Sequence, residues 1–375
     1  MGWLVYFWLV ASNVQTVLSI DVGGVAVKLF HFITLVLLFF LLIRKKVPAV
    51  KNSLFWLALS VLLFFIIHSV IAYGFYGFNG LILNYILSLM CLFLGFLVIN
   101  EFEFPLKALQ NMALILFSII LLKDIFFIRE IVSFLSAPYG HPIIWYLYGG
   151  GPNLEATWCG MFLAFFLKEK IFYPLAVFAL VISFMYASRV GFIVVFGVVF
   201  AKAIFSYGAL RVIVFSMAGL VAIVATFMYG DFYLVERFAS VGNDPGSVGR
   251  LNLWSDSINS VLGNPFGYGA GNAVGSLLYG DYIEDNVHNY VLQVLMDFGV
   301  VGVVAWLLFY FKLITLSFRK PEYAEYFIFF SMFFVASMIQ FRGGEVMFWI
   351  VVGVFSGLLE REIVNDSTGS VDPRL

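Results

Sequence analysis

Charge is what this sequence has least of. Only 11% of its 375 residues are Asp, Glu, Lys or Arg, against about 25% in an ordinary soluble domain. At the same time 63% of the chain is hydrophobic. No core of this length hides so much apolar surface from water, so lipid must cover it. An excess of positive charge is missing too. The formal net charge is −1, which excludes the basic face that a nucleic-acid partner demands. Cysteine is almost absent: Cys91 and Cys159 both lie in apolar segments, so neither a disulfide framework nor a zinc framework is available. No Cys/His spacing suggests a metal, and no cofactor is expected. The opening MGWLVYFWLVAS lacks a basic n-region and an early cleavage site, so it reads as a retained first helix. Tyr6 makes the Met-Gly start a poor myristoylation match.

What the chain does have is long apolar runs. A membrane span needs about 20 mostly apolar residues. Candidate spans cover 3–20, 29–43, 54–73, 81–99, 110–128, 154–167, 171–187, 190–206, 212–229, 289–313, 324–340 and 346–359. The run from Ile171 to Phe205 is too long for one helix, and Ser188-Arg189 is where a tight hairpin would turn. Basic residues in short loops mark the cytoplasm. Arg44, Lys45, Lys46 and Lys51 fall between the second and third spans, and strict alternation then places Lys107, Lys168, Lys170, Arg211, Arg319, Lys320 and Arg361 on that same side. The expectation is an all-α polytopic membrane protein of about twelve helices. Both ends lie inside, and 1–375 forms one integral membrane domain without the two-half repeat of transporters.

Two outward segments exceed turn length. One is 129–153; the other, 230–287, joins the ninth and tenth spans. Loops this long in compact folds usually serve function. Five arginines break the inside rule: Arg129, Arg189, Arg237, Arg250 and Arg342. Arginine near a membrane is costly and persists where it pairs, and its planar fork suits diphosphate or carboxylate. The bland reading pairs them with Asp231, Glu236, Asp256, Glu345 or lipid headgroups.

Inside the long loop, Val248, Leu251, Trp254, Ile258 and Val261 fall at near-helical spacing, with Ser247 as the cap and Gly263 with Pro265 as the stop. Such an amphipathic helix would lie on the membrane surface with Trp254 at the interface. Its polar face would hold Arg250, Asn252, Ser257 and Asn259. It serves either as a lid or in substrate binding. The glycine-rich stretch Asn264 to Gly271 permits close backbone approach, but no strand precedes it, so a turn back into the membrane is the better reading. His288 then stands at the outer mouth of the tenth span, with Asn289, Gln293 and Asp297 striping one helix face below it. Histidine is the side chain best suited to take a proton near neutral pH, and Glu284 and Asp285 would raise its basicity.

The order of these motifs resembles the O-antigen polymerase and O-antigen ligase superfamily. Ser188-Arg189 at a hairpin is followed by Arg250 with Trp254, by Asn264 to Gly271, and by His288 to Gln293 leading into Asp297 to Gly302. The resemblance covers about residues 186–306. It implies a GT-C-like helical fold in the bacterial inner membrane, with a periplasmic active site. It also implies metal-independent, inverting glycosyl transfer from undecaprenyl-diphosphate-linked oligosaccharide. Arg189 and Arg250 match the family's diphosphate-binding arginines, and His288 matches the histidine held to activate the acceptor. Arg129, Arg237, Arg342 and Asn289 are further candidates for binding substrate. Besides membrane lipid, a chain-length regulator protein is a candidate partner. A polymerase is favoured. Ligase transfer to lipid A-core is the near alternative, and a lipid-linked oligosaccharide flippase the distant one, because flippases keep outer loops short. Reporter fusions near Tyr207 and Tyr279 should read opposite sides of the membrane; the same side at both would break the helix count between them.

Overall fold

The computed structural model describes residues 2–14, 19–22, 25–44, 50–99, 102, 105–136, 144–148, 151–208, 245–272, 278–279, 282–283, 287–340 and 345–368. Its helices are α1 (Gly2–Ala11), α2 (Leu29–Arg44), α3 (Ser53–Tyr76), α4 (Ile82–Val98), α5 (Pro105–Phe126), α6 (Ile128–Ser136), α7 (Pro152–Phe162), α8 (Phe172–Met185), α9 (Arg189–Tyr207), α10 (Pro245–Gly263), α11 (Tyr290–Phe318), α12 (Ala324–Ser337) and α13 (Val346–Thr368). The expected ninth span, 212–229, and most of the loop 230–287 lie outside the described residues, as do Arg237 and Arg342.

Four of these helices are long and apolar enough to cross a membrane: Ser53–Tyr76, Pro105–Phe126, Arg189–Ser206 and Tyr290–Phe318. Their outer faces carry large apolar side chains in the open. Ile67, Val70 and Phe75 stand exposed on α3, and Val304, Leu308 and Phe311 on α11. Phe75 is 80% exposed and Phe311 74%, a condition that suits hydrocarbon and not water. This is a polytopic membrane protein.

Three expectations change. The first span is not a helix over 3–20. Ser12 Oγ and Asn13 Nδ2 both donate to Leu9 O and close α1 at Ala11. Ser19–Val22 then pairs antiparallel with Val25–Lys28, Ser19 opposite Lys28. Those strands are rich in β-branched residues, and the sequence between them is Gly23-Gly24, a pair that favours hairpins. A second, shorter hairpin pairs Leu278–Tyr279 with Tyr282–Ile283, so the described residues are not purely α. The sixth span is shorter than 154–167 as a regular helix: α7 tightens into a 3-10 turn at Leu163–Phe166.

The chain forms two compact units. Unit 1 comprises Met1–Leu116, Asn252–Pro321 and Ser337–Leu375; unit 2 comprises Phe117–Leu251 and Glu322–Ala336. In unit 1 the most extensive helix pairing is α4 on α13. Three glycines allow it. A Cβ on Gly95 would stand 2.5 Å from Ile350 O, one on Gly353 would overlap Leu92 O, and one on Gly357 would stand 2.8 Å from Ile99 Cγ2. Gly353 and Gly357 form the small-xxx-small pattern that lets membrane helices touch backbone to backbone. Polar groups tie the end of α13 to the start of α3 and to the residues that follow α4. Glu360 accepts from the amides of Lys51 (3.0 Å) and Asn52 (2.7 Å), Asn52 Nδ2 donates to Ser356 O, and Arg361 donates to Ile99 O and Phe102 O. Lys320 pairs with Glu362 at 2.8 Å. Lys51, Lys320 and Arg361 therefore gather at one end of unit 1.

In unit 2, Trp158, Phe162 and Phe165 of α7 and its 3-10 extension stack in series, Phe165 stacks on Phe329 of α12, and Trp158 meets the same ring at a tilt. Gly160 and Gly191 let α7 and α9 close, since a Cβ on Gly191 would stand 2.8 Å from Ala156 Cβ.

Gly353→Ala should lower stability by about 1–3 kcal/mol, the usual effect of overpacking. Gly74→Ala, whose Cβ meets nothing within 4 Å, serves as the control. Thermal unfolding of both in detergent decides it: equal midpoints would remove the glycine contact from the account.

Candidate functional site

In unit 2 the polar chemistry sits at a hairpin. Helix α8 ends in a Schellman turn. Ser188 N donates to Ser183 O (2.9 Å) and Ala187 N to Phe184 O (2.9 Å), with Ala187 in the left-handed region at φ 49°. Glycine is the usual residue there, and alanine in its place costs about 1–2 kcal/mol. Ser188 ends one helix and starts the next: its Oγ accepts from Gly191 N at 3.1 Å and caps α9, whose first residue is Arg189. The hairpin expected at Ser188-Arg189 is therefore where the chain turns, and Arg189 stands half-buried at the helix start.

Beneath it lies a buried ionic group. Lys123 in the last turn of α5 contacts Glu155 Oε1 (2.5 Å), Asp124 Oδ1 (2.9 Å) and the Tyr186 hydroxyl (2.6 Å). That hydroxyl also meets Asp124 Oδ1 at 2.6 Å and Glu155 Oε1 at 2.9 Å, and Leu147 N donates to Glu155 Oε2 at 2.7 Å. The C-terminal ends of α5 and α8 and the N-terminal end of α7 thus meet at one place. Reading the loops for charge passed over Lys123, Asp124 and Glu155. The available signal was ionisable residues within apolar segments, which are rare in membranes and seldom idle. Arg129 lies apart from this group, exposed on α6.

The second place is in unit 1, around His288. Helix α10 begins at Pro245, so Ser247 lies inside its first turn and is not the cap. Its inward side buries Leu253, Ser257 and Val261, and Ser257 Oγ donates to Leu253 O, so Ser257 is not on the polar face. Val248, Leu251, Ile258 and Leu262 form a separate exposed apolar stripe, the side that suits a membrane surface. Trp254 is not at the expected interface. It packs on Val261, Val287 and Met296, and its Nε1 donates to Val287 O at 2.9 Å. Arg250 is half-buried, one helical turn from Leu253 and Trp254 and two from Ser257.

The glycine-rich stretch is a docking turn, and its last four amides are occupied. Tyr268 N donates to Met296 O, Gly269 N to Asp297 O, Ala270 N to Ser69 Oγ and Gly271 N to Asp297 Oδ1. It fits against a kink in α11 at Gly299 (φ 66°), where Val300 N donates to Pro265 O at 3.0 Å in place of an intrahelical acceptor. Gly267 and Gly299 face one another so closely that neither tolerates a Cβ. His68 of α3 holds the same turn through Phe266 O at 2.8 Å.

This turn fixes what lies above it. Asp297 Oδ1 accepts from Gln293 Nε2 at 3.1 Å, and Gln293 Oε1 accepts from Val287 N at 3.1 Å. Val287 is therefore held at both its amide and its carbonyl. Asn289 caps α11, its Oδ1 accepting from Leu292 N at 3.1 Å. Between these two fixed neighbours His288 takes a left-handed conformation, φ 53°. A bulky residue in that region is unusual and costs about 1–2 kcal/mol, which the surrounding bonds sustain. Glu284 and Asp285, expected to act on its basicity, lie outside the described residues.

Residues 174–307 match a protein family described as O-antigen ligase. The likeness to the O-antigen polymerase and ligase superfamily holds. Curated proteins include no match to this chain. The matched segment contains Tyr186, Arg189, Arg250, His288, Asn289 and the Gln293–Asp297 clamp. Of the residues singled out in sequence, Arg189 and Arg250 fall in unit 2, and His288 and Asn289 in unit 1.

Gln293→Leu leaves the Val287 amide and one Asp297 contact unmet, and should destabilise by about 1–3 kcal/mol. Gln293→Glu should be worse, because it sets a second carboxyl against Asp297. Unfolding midpoints equal to wild type in both would show that the clamp contributes nothing.

Proposed function

We propose that this protein is an O-antigen polymerase of the bacterial inner membrane, with about twelve spans in a GT-C-like arrangement and its active site facing the periplasm. The carrying observation is His288, held left-handed between a doubly bonded Val287 and the cap Asn289, inside the segment that matches the O-antigen family. In this reading the donor is a growing glycan on undecaprenyl diphosphate and the acceptor a new lipid-linked repeat unit. His288 removes the proton from the acceptor hydroxyl, the oxygen attacks the anomeric carbon, and the bond to the diphosphate breaks with inversion. The diphosphate leaves with the bonding electron pair and gains charge. Arg189 and Arg250 hold it and stabilise that charge as fixed guanidiniums, so the step needs no metal. Arg129, Arg237, Arg342 and Asn289 are further candidates for holding substrate. The exposed apolar stripe of α10 keeps the site at the lipid boundary. A chain-length regulator protein remains a candidate partner.

A second reading is O-antigen ligase, with lipid A-core as acceptor. It is favoured by the matching family's description as O-antigen ligase. Deletion separates the two: one repeat on core means a lost polymerase, and naked core means a lost ligase.

Two variant sets test the chemistry in purified protein given lipid-linked repeat units. His288→Ala should slow turnover by about a hundred- to ten-thousand-fold, the usual share of a general base. His288→Gln should be nearly as poor, because it keeps a hydrogen bond but takes no proton. Near-normal turnover in His288→Gln would mean that the residue orients and does not accept the proton. Arg250→Ala should abolish polymer at normal protein level, and Arg250→Lys should rescue it poorly for want of the bidentate fork. Long O-antigen from Arg250→Ala would remove that residue from the donor site.

A further inference from the structure

The buried group of Lys123, Asp124, Glu155 and Tyr186 is not used by the chemistry just described, yet it is the most polar buried cluster among the described residues of unit 2. Asp124, Glu155 and Lys123 are each at most 6% exposed. Keeping such charges in a membrane interior is expensive. It is also a poor route to stability, since well-packed apolar residues of the same volume commonly do as well or better than a buried ion pair. What a fully bonded buried network does supply is one defined geometry.

The geometry here converges on the hairpin that carries Arg189. Tyr186 is the residue on which the α8 turn closes, three positions before Arg189, and the backbone between them is fixed by the amides of Ala187 and Ser188. The first turn of α7 grips the hairpin at three points. Glu155 bonds the Tyr186 hydroxyl at 2.9 Å, Asn153 O accepts from Ser188 Oγ at 3.4 Å, and Ala156 abuts Gly191. Lys123 lies over the rings of Tyr146 and Tyr186, 5.2 and 5.1 Å from their centroids, and Tyr146 meets Tyr186 edge to face at 5.6 Å. The segment 144–148 is thereby fastened to the same point, through Tyr146 and through the Leu147 amide on Glu155.

We propose that Lys123, Glu155 and Tyr186, with Asp124, are positioning residues for Arg189. They lock the hairpin so that the guanidinium meets the donor diphosphate in one orientation. The inference rests on the assignment of Arg189 to the diphosphate. None of the four touches substrate.

The test is a double-mutant cycle on binding of undecaprenyl diphosphate to the purified full-length protein in detergent, followed by intrinsic tryptophan fluorescence. Tyr186→Phe keeps the ring and removes the hydroxyl at the hub. It should weaken binding about tenfold, the weight of one charge-assisted hydrogen bond. In an Arg189→Ala background the same change should weaken binding no further, because the group acts only through that arginine. Glu155→Gln, close to the same volume, should repeat the pattern and stands in if Tyr186→Phe fails to fold. Wild-type affinity in both single variants would overturn the proposal. So would an equal loss in the two backgrounds, which is the mark of a general structural role. Normal binding by Arg189→Ala would instead remove Arg189 from the diphosphate site, and the positioning role would fall with it.

Discussion

Lipid offers a polar group no partner, so every amide freed where a helix ends, kinks or turns must find one within the protein. The described structure is organised around that demand. Where α11 breaks at Gly299, the amide of Val300 turns to Pro265 O. Where α8 ends, its last carbonyls take the amides of Ala187 and Ser188, and Ser188 then caps α9. Where α3 begins, Glu360 takes the amides of Lys51 and Asn52. A chain so poor in charge has few side chains for such work.

The same demand shapes the candidate site. The amides of Tyr268, Gly269, Ala270 and Gly271 are not offered to a phosphate, because Met296, Asp297 and Ser69 accept them. Its contribution is rigidity. Through Asp297 and Gln293 it fixes Val287, and so the backbone on which His288 is strained. A reactive side chain on a loop gains precision when its neighbours are held in this way. Arg189 gains it by another route, from a helix start set by a serine cap and a buried ionic group.

Helix association in unit 1 follows from the absence of a hydrophobic driving force in lipid. Gly95, Gly353 and Gly357 bring two backbones together, and van der Waals contact over that close approach replaces the force that water would supply. In unit 2 the same need is met by aromatic stacking along α7 and α12.

Composition alone determined that the chain lives in lipid, because no arrangement of 63% hydrophobic residues hides them from water. Apolar run length and helical spacing gave most helices to within a few residues, the Ser188-Arg189 turn and the amphipathic helix, since all three are local patterns. The order of motifs gave the likeness to the O-antigen superfamily, and the roles proposed for His288, Arg189 and Arg250 rest on that likeness. Local pattern failed where partners distant in sequence decide. Trp254 has the spacing of a lipid-facing residue, but a carbonyl at Val287 turns it inward. The opening run is apolar enough for a span, but Ser12 and Asn13 end it early. Lys123, Glu155 and Tyr186 are separated by tens of residues, and only packing of three helix ends brings them within bonding distance. A buried charge is tolerated only where its partners converge, and that convergence is a property of the tertiary structure.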